Sequence, residues 1–480
     1  MKKLFLVVVV ILFILSGCEI GVNIVEYGDE EMNLNNGYKI IKTDNEEKVT
    51  LNIVDWSDST KKSREKLNDR FMKDHPNVTI NYTTLTQSQF NETMLSGIRS
   101  GNAPDLFPLP STVFFSTAIN EGWFIPLNIY LDSNFFSSLK DNVFKENITT
   151  KKGYIYLLPE AEAMPSTLIF YNKKVLNEAG ISLNELPTTW EEYLSITKLV
   201  SERGEGKYFG IVTSGAQKNR IDLELRSFSE ISGARLGPAE QVFLNQGKNQ
   251  FNSSQVIDAL DFYNKLYENG CFHPDSASLS APEARSIFAE NKAAFIVQGS
   301  WCIPIWKENN PDLDFGVIKI PDKEKFQKYK MIRPFTKGWM GISSSSKHPD
   351  IAAEYLKYLY SYEYQSELVK KGGFVSIRND LGEEDIEDKV MRNYYQLSME
   401  QSIQGVNPIE KNEYLELVYL NSPQLIPDFG DISAGILSGE KNYKEKMNDY
   451  SKRLQEKLNK SIDIVKKKYP VKIYDFNYSE

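Results

Sequence analysis

The sequence predicts an α/β protein assembled from parallel βαβ units, and two observations carry that expectation. From residue 49 onward, short alternating apolar segments give way repeatedly to segments whose apolar residues recur every three or four positions. The chain is also long, 480 residues with 41% hydrophobic residues, 26 Tyr and 26 Phe, which is the composition of a folded protein too large for one compact core. Two domains or more are expected.

The first segment is a leader. Lys2-Lys3 precede an uninterrupted apolar run, Leu4 to Leu15, and Ser16-Gly17 supply small residues at a scission point. The run is shorter than the roughly 20 residues of a spanning helix, so an export signal is expected in place of a membrane anchor. Leu15-Ser16-Gly17-Cys18 resembles the lipobox of bacterial lipoproteins. That resemblance implies a signal peptide over 1–17, lipid attachment at Cys18 and a protein held outside the cytoplasmic membrane. Residues 18–48 are polar and acidic, with little periodicity, and read as a flexible tether.

The folded body opens with the alternating strand Val49 to Trp56, followed by a helix over Lys61–Lys73 with Leu67 and Phe71 on one face. A second strand is expected over Asn77–Tyr82 and a second helix over 87–100, with Phe90, Met94 and Ile98 in register. A turn at Gly101-Asn102-Ala103-Pro104-Asp105 leads into the short strand Leu106-Phe107. Strands follow over Tyr154–Leu158 and Thr167–Tyr171, set apart by Pro159 and Pro165. Thr189 with Glu192 three residues later forms a capping-box signature for the next helix. Ala293–Val297 and Phe315–Ile320 read as buried strands, and helices dominate after residue 350, ending in a Lys/Glu-rich helix over Tyr443–Lys468.

Charge and cysteine usage remove several function classes. A net charge of −9 argues against a nucleic-acid partner, because an acidic surface repels phosphate backbones. His75, His273 and His348 are scattered and each precedes proline, so no metal site is expected and no cofactor either. Cys271 and Cys302 could pair in an oxidising compartment, but two buried thiols acting as small apolar residues are the favoured reading.

Ile169-Phe170-Tyr171-Asn172-Lys173-Lys174-Val175-Leu176-Asn177-Glu178 resembles the signature of bacterial extracellular solute-binding proteins of the sugar-binding type, family 1. Upstream, Leu168 and Glu162 depart from it. Further blocks of the same family are resembled, in order, by Gly101–Leu106, Leu186–Glu192, Gly299-Ser300-Trp301, Gly338–Ile342 and Lys347–Leu356. The resemblance implies a periplasmic-binding-protein-like fold of the class II type: two α/β lobes, a ligand cleft between them and a three-segment hinge. The hinge is expected near 159–163, 318–321 and 373–376. The lobes are then discontinuous, 49–160 with 320–374 and 161–319 with 375–480. The implied role is a monomeric receptor of an ABC importer, with a saccharide ligand and permease subunits as partners.

A sugar site needs aromatic rings for C–H faces and polar groups for hydroxyls. Candidates are Trp56 and Asp58 after the first strand, Ser111 and Thr112 after the third, Glu162 at the first crossing, and Trp301 and Trp339 beside glycines. Arg226 and Arg333 are weaker candidates, and Trp306 is undecided. Trp123, Trp190 and Asp105 read as structural. The rival class is a lipid-anchored glycoside hydrolase, which needs two convergent carboxylates; Glu160 and Glu162 are near in sequence, but nothing aims both at one bond. A third reading keeps the binding fold with a polyamine, peptide or anion as ligand.

Overall fold

The structure, a computed structural model, describes residues 41–476 apart from 45, 57–59, 166, 238–246, 326–327, 335, 372–373 and 423. The leader, Cys18, the tether up to residue 40 and Asp58 lie outside the described residues.

In chain order the strands begin with β1 (Val49–Asp55), β2 (Val78–Thr84), β3 (Leu106–Pro108), β4 (Thr150–Lys151), β5 (Tyr154–Ile155) and β6 (Leu168–Asn172). They continue with β7 (Phe209–Ile211), β8 (Ala293–Gln298), β9 (Phe315–Ile318), β10 (Met331–Arg333), β11 (Met340–Ile342) and β12 (Ser402–Gln404). Two four-stranded sheets, β11-β3-β1-β2 and β7-β8-β6-β9, form the centres of two α/β lobes.

The first sheet follows the sequence reading closely. β1 pairs in parallel with β2, Leu51 opposite Ile80, and with β3 through Ile53 and Leu106. The helices Lys61–Asp74 and Gln87–Arg99 make the two crossovers. Thr86 caps the second: its hydroxyl accepts from Gln89 N, and Gln89 Oε1 accepts from Thr86 N at 3.2 Å. The antiparallel β11 completes this sheet from much later in the chain, Met340 opposite Pro108.

The second sheet is less parallel than the alternation predicts. Only β7 and β8 run parallel, whereas β6 runs antiparallel to both its neighbours, β8 and β9. β6 enters from the first lobe with no helix linking it to a neighbour already in its own sheet, so the crossover rule does not fix its direction. β8 is buried along its whole length, as expected for a central strand. The capping box at the helix Trp190–Gly204 is present: Thr189 Oγ1 accepts from Glu192 N, and Glu192 accepts from the Thr188 and Thr189 N–H groups. Those donors hold the Glu192 carboxyl below its ordinary range.

The expected strand Tyr154–Leu158 is shorter. Lys152 and Gly153, with φ of 51° and 79°, turn the chain into a β4–β5 hairpin, and Leu158 makes only an isolated bridge to Met340. Beyond residue 320 the chain keeps bonding elements packed on the second sheet. Ile320 exchanges two hydrogen bonds with Gln401, and β10 pairs with β12 while Ile332 N donates to Glu230 on the helix Lys218–Ile231. It rejoins the first sheet at Trp339, whose N–H and C=O bond Leu158 and Leu109. Val375, Ile377 and Asn379 still bond Glu162, Lys140 and Ser138.

Cys271 and Cys302 are free and buried, so no disulfide joins them; burial pushes the Cys271 thiol up to about 11. At the N-terminal end of the described chain, Thr43 is fastened to the first lobe. Its hydroxyl donates to Asp350 at 2.7 Å and lies 3.2 Å from His348 Nδ1.

A tryptophan-lined interlobe cleft

The carboxyl ends of β1 and β3 and the entry to β11 share one edge of the first sheet, so Trp56, the loop after Pro108 and Trp339 face a common space. That space is a cleft of about 430 Å³, within the range of small-molecule sites. Trp56 is half-buried and sits edge-on to buried Phe90, with centroids 4.7 Å apart and planes at 69°. Trp339 is 5% exposed, and the Arg64 guanidinium lies 5.0 Å from its ring centroid. The Trp339 indole N–H has no acceptor among the described residues.

Ser111 and Thr112 line the same cleft. Ser111 is held by Asn91, whose Oδ1 accepts from Ser111 N at 3.0 Å and whose amide donates to Ser111 Oγ at 3.0 Å. The loop is therefore braced from the helix below it.

The other expected residues fall elsewhere. Glu162 is not among the cleft residues; Lys140 pairs with it at 2.8 Å and donates to Ser376 O, tying two crossing segments together. Glu160, two residues earlier, does line the cleft, held by Arg64 at 3.6 Å and by the Thr60 hydroxyl. Trp301 packs over Arg220 at 5.3 Å at the start of the helix Cys302–Asn309, outside the cleft lining. Gly299 serves that ring: a Cβ there would lie 2.1 Å from the Trp301 indole. Gly341 is likewise set by packing, since a Cβ would meet Leu157 and Phe124 at 2.6 Å.

The structural assignments are simple. Trp190 stacks on Phe262 and donates to Pro321 O, and Trp123 donates to Glu121. Trp306 is buried among Phe170, Phe288 and Phe315. Asp105 accepts from Asn52 N and Ser346 Oγ. Arg226 pairs with Asp222 between Phe251 and Phe429, and Arg333 contacts Met399.

The far wall comes from a segment with no signal in the sequence: Asn407, Ile409 and Glu416. It belongs to the C-terminal helices; Ser461 on the helix Tyr443–Val465 donates to Asn421 O, and that helix packs on Phe429–Ile436 and so on the second lobe. Contacts cross the cleft mouth to the first lobe. Lys151 meets Glu413 at 3.0 Å, Lys145 meets Glu410 at 3.4 Å, Glu416 accepts from Thr117 N at 2.8 Å, and Phe114 stacks on Tyr419.

Two sheets of this topology, with an aromatic cleft between the first lobe and the C-terminal segment that packs on the second, define a two-lobed ligand-binding protein. Comparison with known proteins agrees. Residues 56–366 match the family model of bacterial extracellular solute-binding proteins, and the chain belongs to that family. Its members act outside the cytoplasmic membrane. The multiple sugar-binding protein of Streptococcus mutans is 21% identical over 320 residues, covering 65% of this chain and 71% of its own. A putative binding protein of Brucella abortus is 19% identical over 339 residues, 69% and 76% of the two chains. Among solved structures, a solute-binding protein of Thermotoga lettingae bound to α-D-tagatose superposes with a TM-score of 0.65 at 20% identity, over 85% of this chain and 99% of its own. The GacH receptor of Streptomyces glaucescens, solved unliganded and with acarbose, has a TM-score of 0.65 at 18% identity, over 86% and 98%.

Proposed function

We propose that this protein is the receptor of an ABC importer, capturing a sugar or oligosaccharide by closure of its two lobes and presenting it to the permease. The observation that carries the reading is the pair Trp56 and Trp339 on one cleft, an arrangement suited to the apolar faces of a saccharide. Thr112, Asn147 and Asn407 add polar groups around the rings. Ligand contacts to both lobes supply the differential affinity that shifts an open–closed equilibrium. The names of several relatives and neighbours, which bind a multiple-sugar class, tagatose, acarbose or maltotriose, point the same way.

No chemistry is needed for this role. Glu160 and Glu416 both line the cleft, but Glu160 is held by Arg64 and Glu416 by Thr117, which suits walls better than an acid–base pair. The lipobox-like Leu15–Cys18 supports a lipid-anchored monomer working beside its permease. Its lobes are then 49–158 with 339–379, and 165–333 with 389–480.

Thermal shift and calorimetry against maltotriose, raffinose, xylo-oligosaccharides, arabino-oligosaccharides and diacetylchitobiose test the reading. One sugar raises the melting temperature by mass action, and Trp339→Ala removes that shift. Binding only to polyamines, peptides or anions, or turnover of a glycoside without stoichiometric binding, overturns it.

A further inference from the structure

Arg64 does not line the cleft, yet it stands behind two residues that do. Its side chain is 1% exposed, on the helix Lys61–Asp74. A charge at that depth is costly unless paired, and an apolar side chain would fill the space without that penalty. The guanidinium therefore needs a reason beyond packing, and its neighbours provide one. Nη1 lies 3.8 Å from Asp55 Oδ2, Nη2 lies 3.6 Å from Glu160 Oε1, and Nε donates to the Tyr364 hydroxyl at 3.1 Å. Its carbon lies 5.0 Å from the centroid of the Trp339 ring and 5.8 Å from that of Tyr364. Asp55 is itself held in place by the Tyr82 hydroxyl at 3.0 Å.

These partners come from separate parts of the chain. Glu160 sits where the chain first leaves the first lobe, and Trp339 where it returns. Tyr364 is on the helix Tyr362–Lys371 of the first lobe. One planar group thus joins the first crossing, at Glu160, to the point of return, at Trp339, while its π-face contact and its edge reach a cleft indole and a cleft carboxylate.

We propose that Arg64 is a positioning residue for ligand capture: its guanidinium fixes the Trp339 ring and the Glu160 carboxylate relative to each other, and so sets affinity without touching ligand. The inference rests on the proposed sugar-binding reading for its affinity arm only. Lysine keeps the charge but not the planar fork, so charge alone does not reproduce the arrangement.

The test compares wild type, Arg64→Lys, Trp339→Phe and the double variant. Without ligand, the Trp339 contribution to fluorescence, taken as the difference from Trp339→Phe, changes its emission maximum and its acrylamide quenching in Arg64→Lys. With the sugar from the panel above that binds wild type, Arg64→Lys weakens affinity by about tenfold, and the two substitutions combine non-additively. If no sugar in the panel binds wild type but the Trp339 signal responds, the positioning role stands and the sugar reading falls. An unchanged Trp339 signal, or fully additive losses in affinity, overturns the proposal. Should Arg64→Lys fold poorly, Asp55→Asn with Arg64→Met removes both buried charges and carries the same readouts.

Discussion

The contacts across the cleft mouth make the resting position of the lobes depend on two lysines, and replacing both with alanine should open the protein in the absence of ligand. Lys151 is the stronger contributor: its side chain is 9% exposed, and it donates to Glu413 and to Asn120 at 3.0 Å each. A charge-assisted bond in that setting contributes about 1.5 kcal/mol, the lower end of its class because Glu413 is 35% exposed. The Lys145–Glu410 pair is a third exposed on both sides and contributes about 0.5 kcal/mol after solvent screening. Together they amount to about 2 kcal/mol, or about 30-fold in the closed-to-open ratio. Nitroxide labels on cysteines introduced at exposed Lys66 and Lys460 of the body from residue 41 report the separation by double electron–electron resonance, since Cys271 and Cys302 are buried. Lys145→Ala/Lys151→Ala should shift the distribution to longer distances, and salt near 1 M should do part of the same to wild type by screening the more exposed pair. An unchanged distribution in the double variant would refute the idea that these pairs hold the lobes together.

Three further outcomes follow from other regions. Trp306→Ala removes the largest fully buried side chain, from between three phenylalanines, and should cost about 3–5 kcal/mol in urea unfolding while sugar affinity of the folded fraction is kept. Burial pushes Glu224 up to about 7, so its contribution to stability is complete below its unfolded value near 4.5 and is lost as pH rises through 7; Glu224→Gln should flatten the fall in melting temperature between pH 5 and 8, and parallel profiles would count against this. Cys18→Ala should abolish incorporation of an alkyne-tagged fatty acid and release a protein that still binds ligand, whereas labelling that persists would remove Cys18 as the attachment site.

How much of this was readable from residues alone depends on the range of the determining interactions. Thr86 with Gln89 and Thr189 with Glu192 act within one turn, and the alternation of Val49–Asp55 reports its own burial, so β1 to β3 and the helix starts fall within a residue or two of expectation, whereas β11 carries no such local signal. The antiparallel setting of β6 is decided by partners more than a hundred residues away, and no local pattern carries it. At the cleft the same contrast holds. Trp56 was singled out because a strand end in an open α/β sheet is a known place for ligands, and Trp339 for its flanking glycines; both line the cleft. The glycine beside Trp301 was legible as a sign of close approach, but the approaching group is Trp301 itself. Glu160 and Glu162 are near neighbours in the first crossing, and their order along the chain does not tell which one faces the cleft and which one Lys140 claims. Asn407, Ile409 and Glu416 reach the site only because the C-terminal helices fold back over the mouth.

The fastening of Thr43 to Asp350 and His348 has a mechanical side. Force entering from the amino-terminal end of the chain is delivered to the first lobe at that knot, before it can reach the hinge. If Cys18 carries a lipid, as proposed, the first lobe is the moored one, and opening and closing amount to the second lobe swinging against a fixed jaw. A membrane partner facing the moored lobe meets a steady surface, and one facing the free lobe meets a surface whose position reports whether the cleft is full.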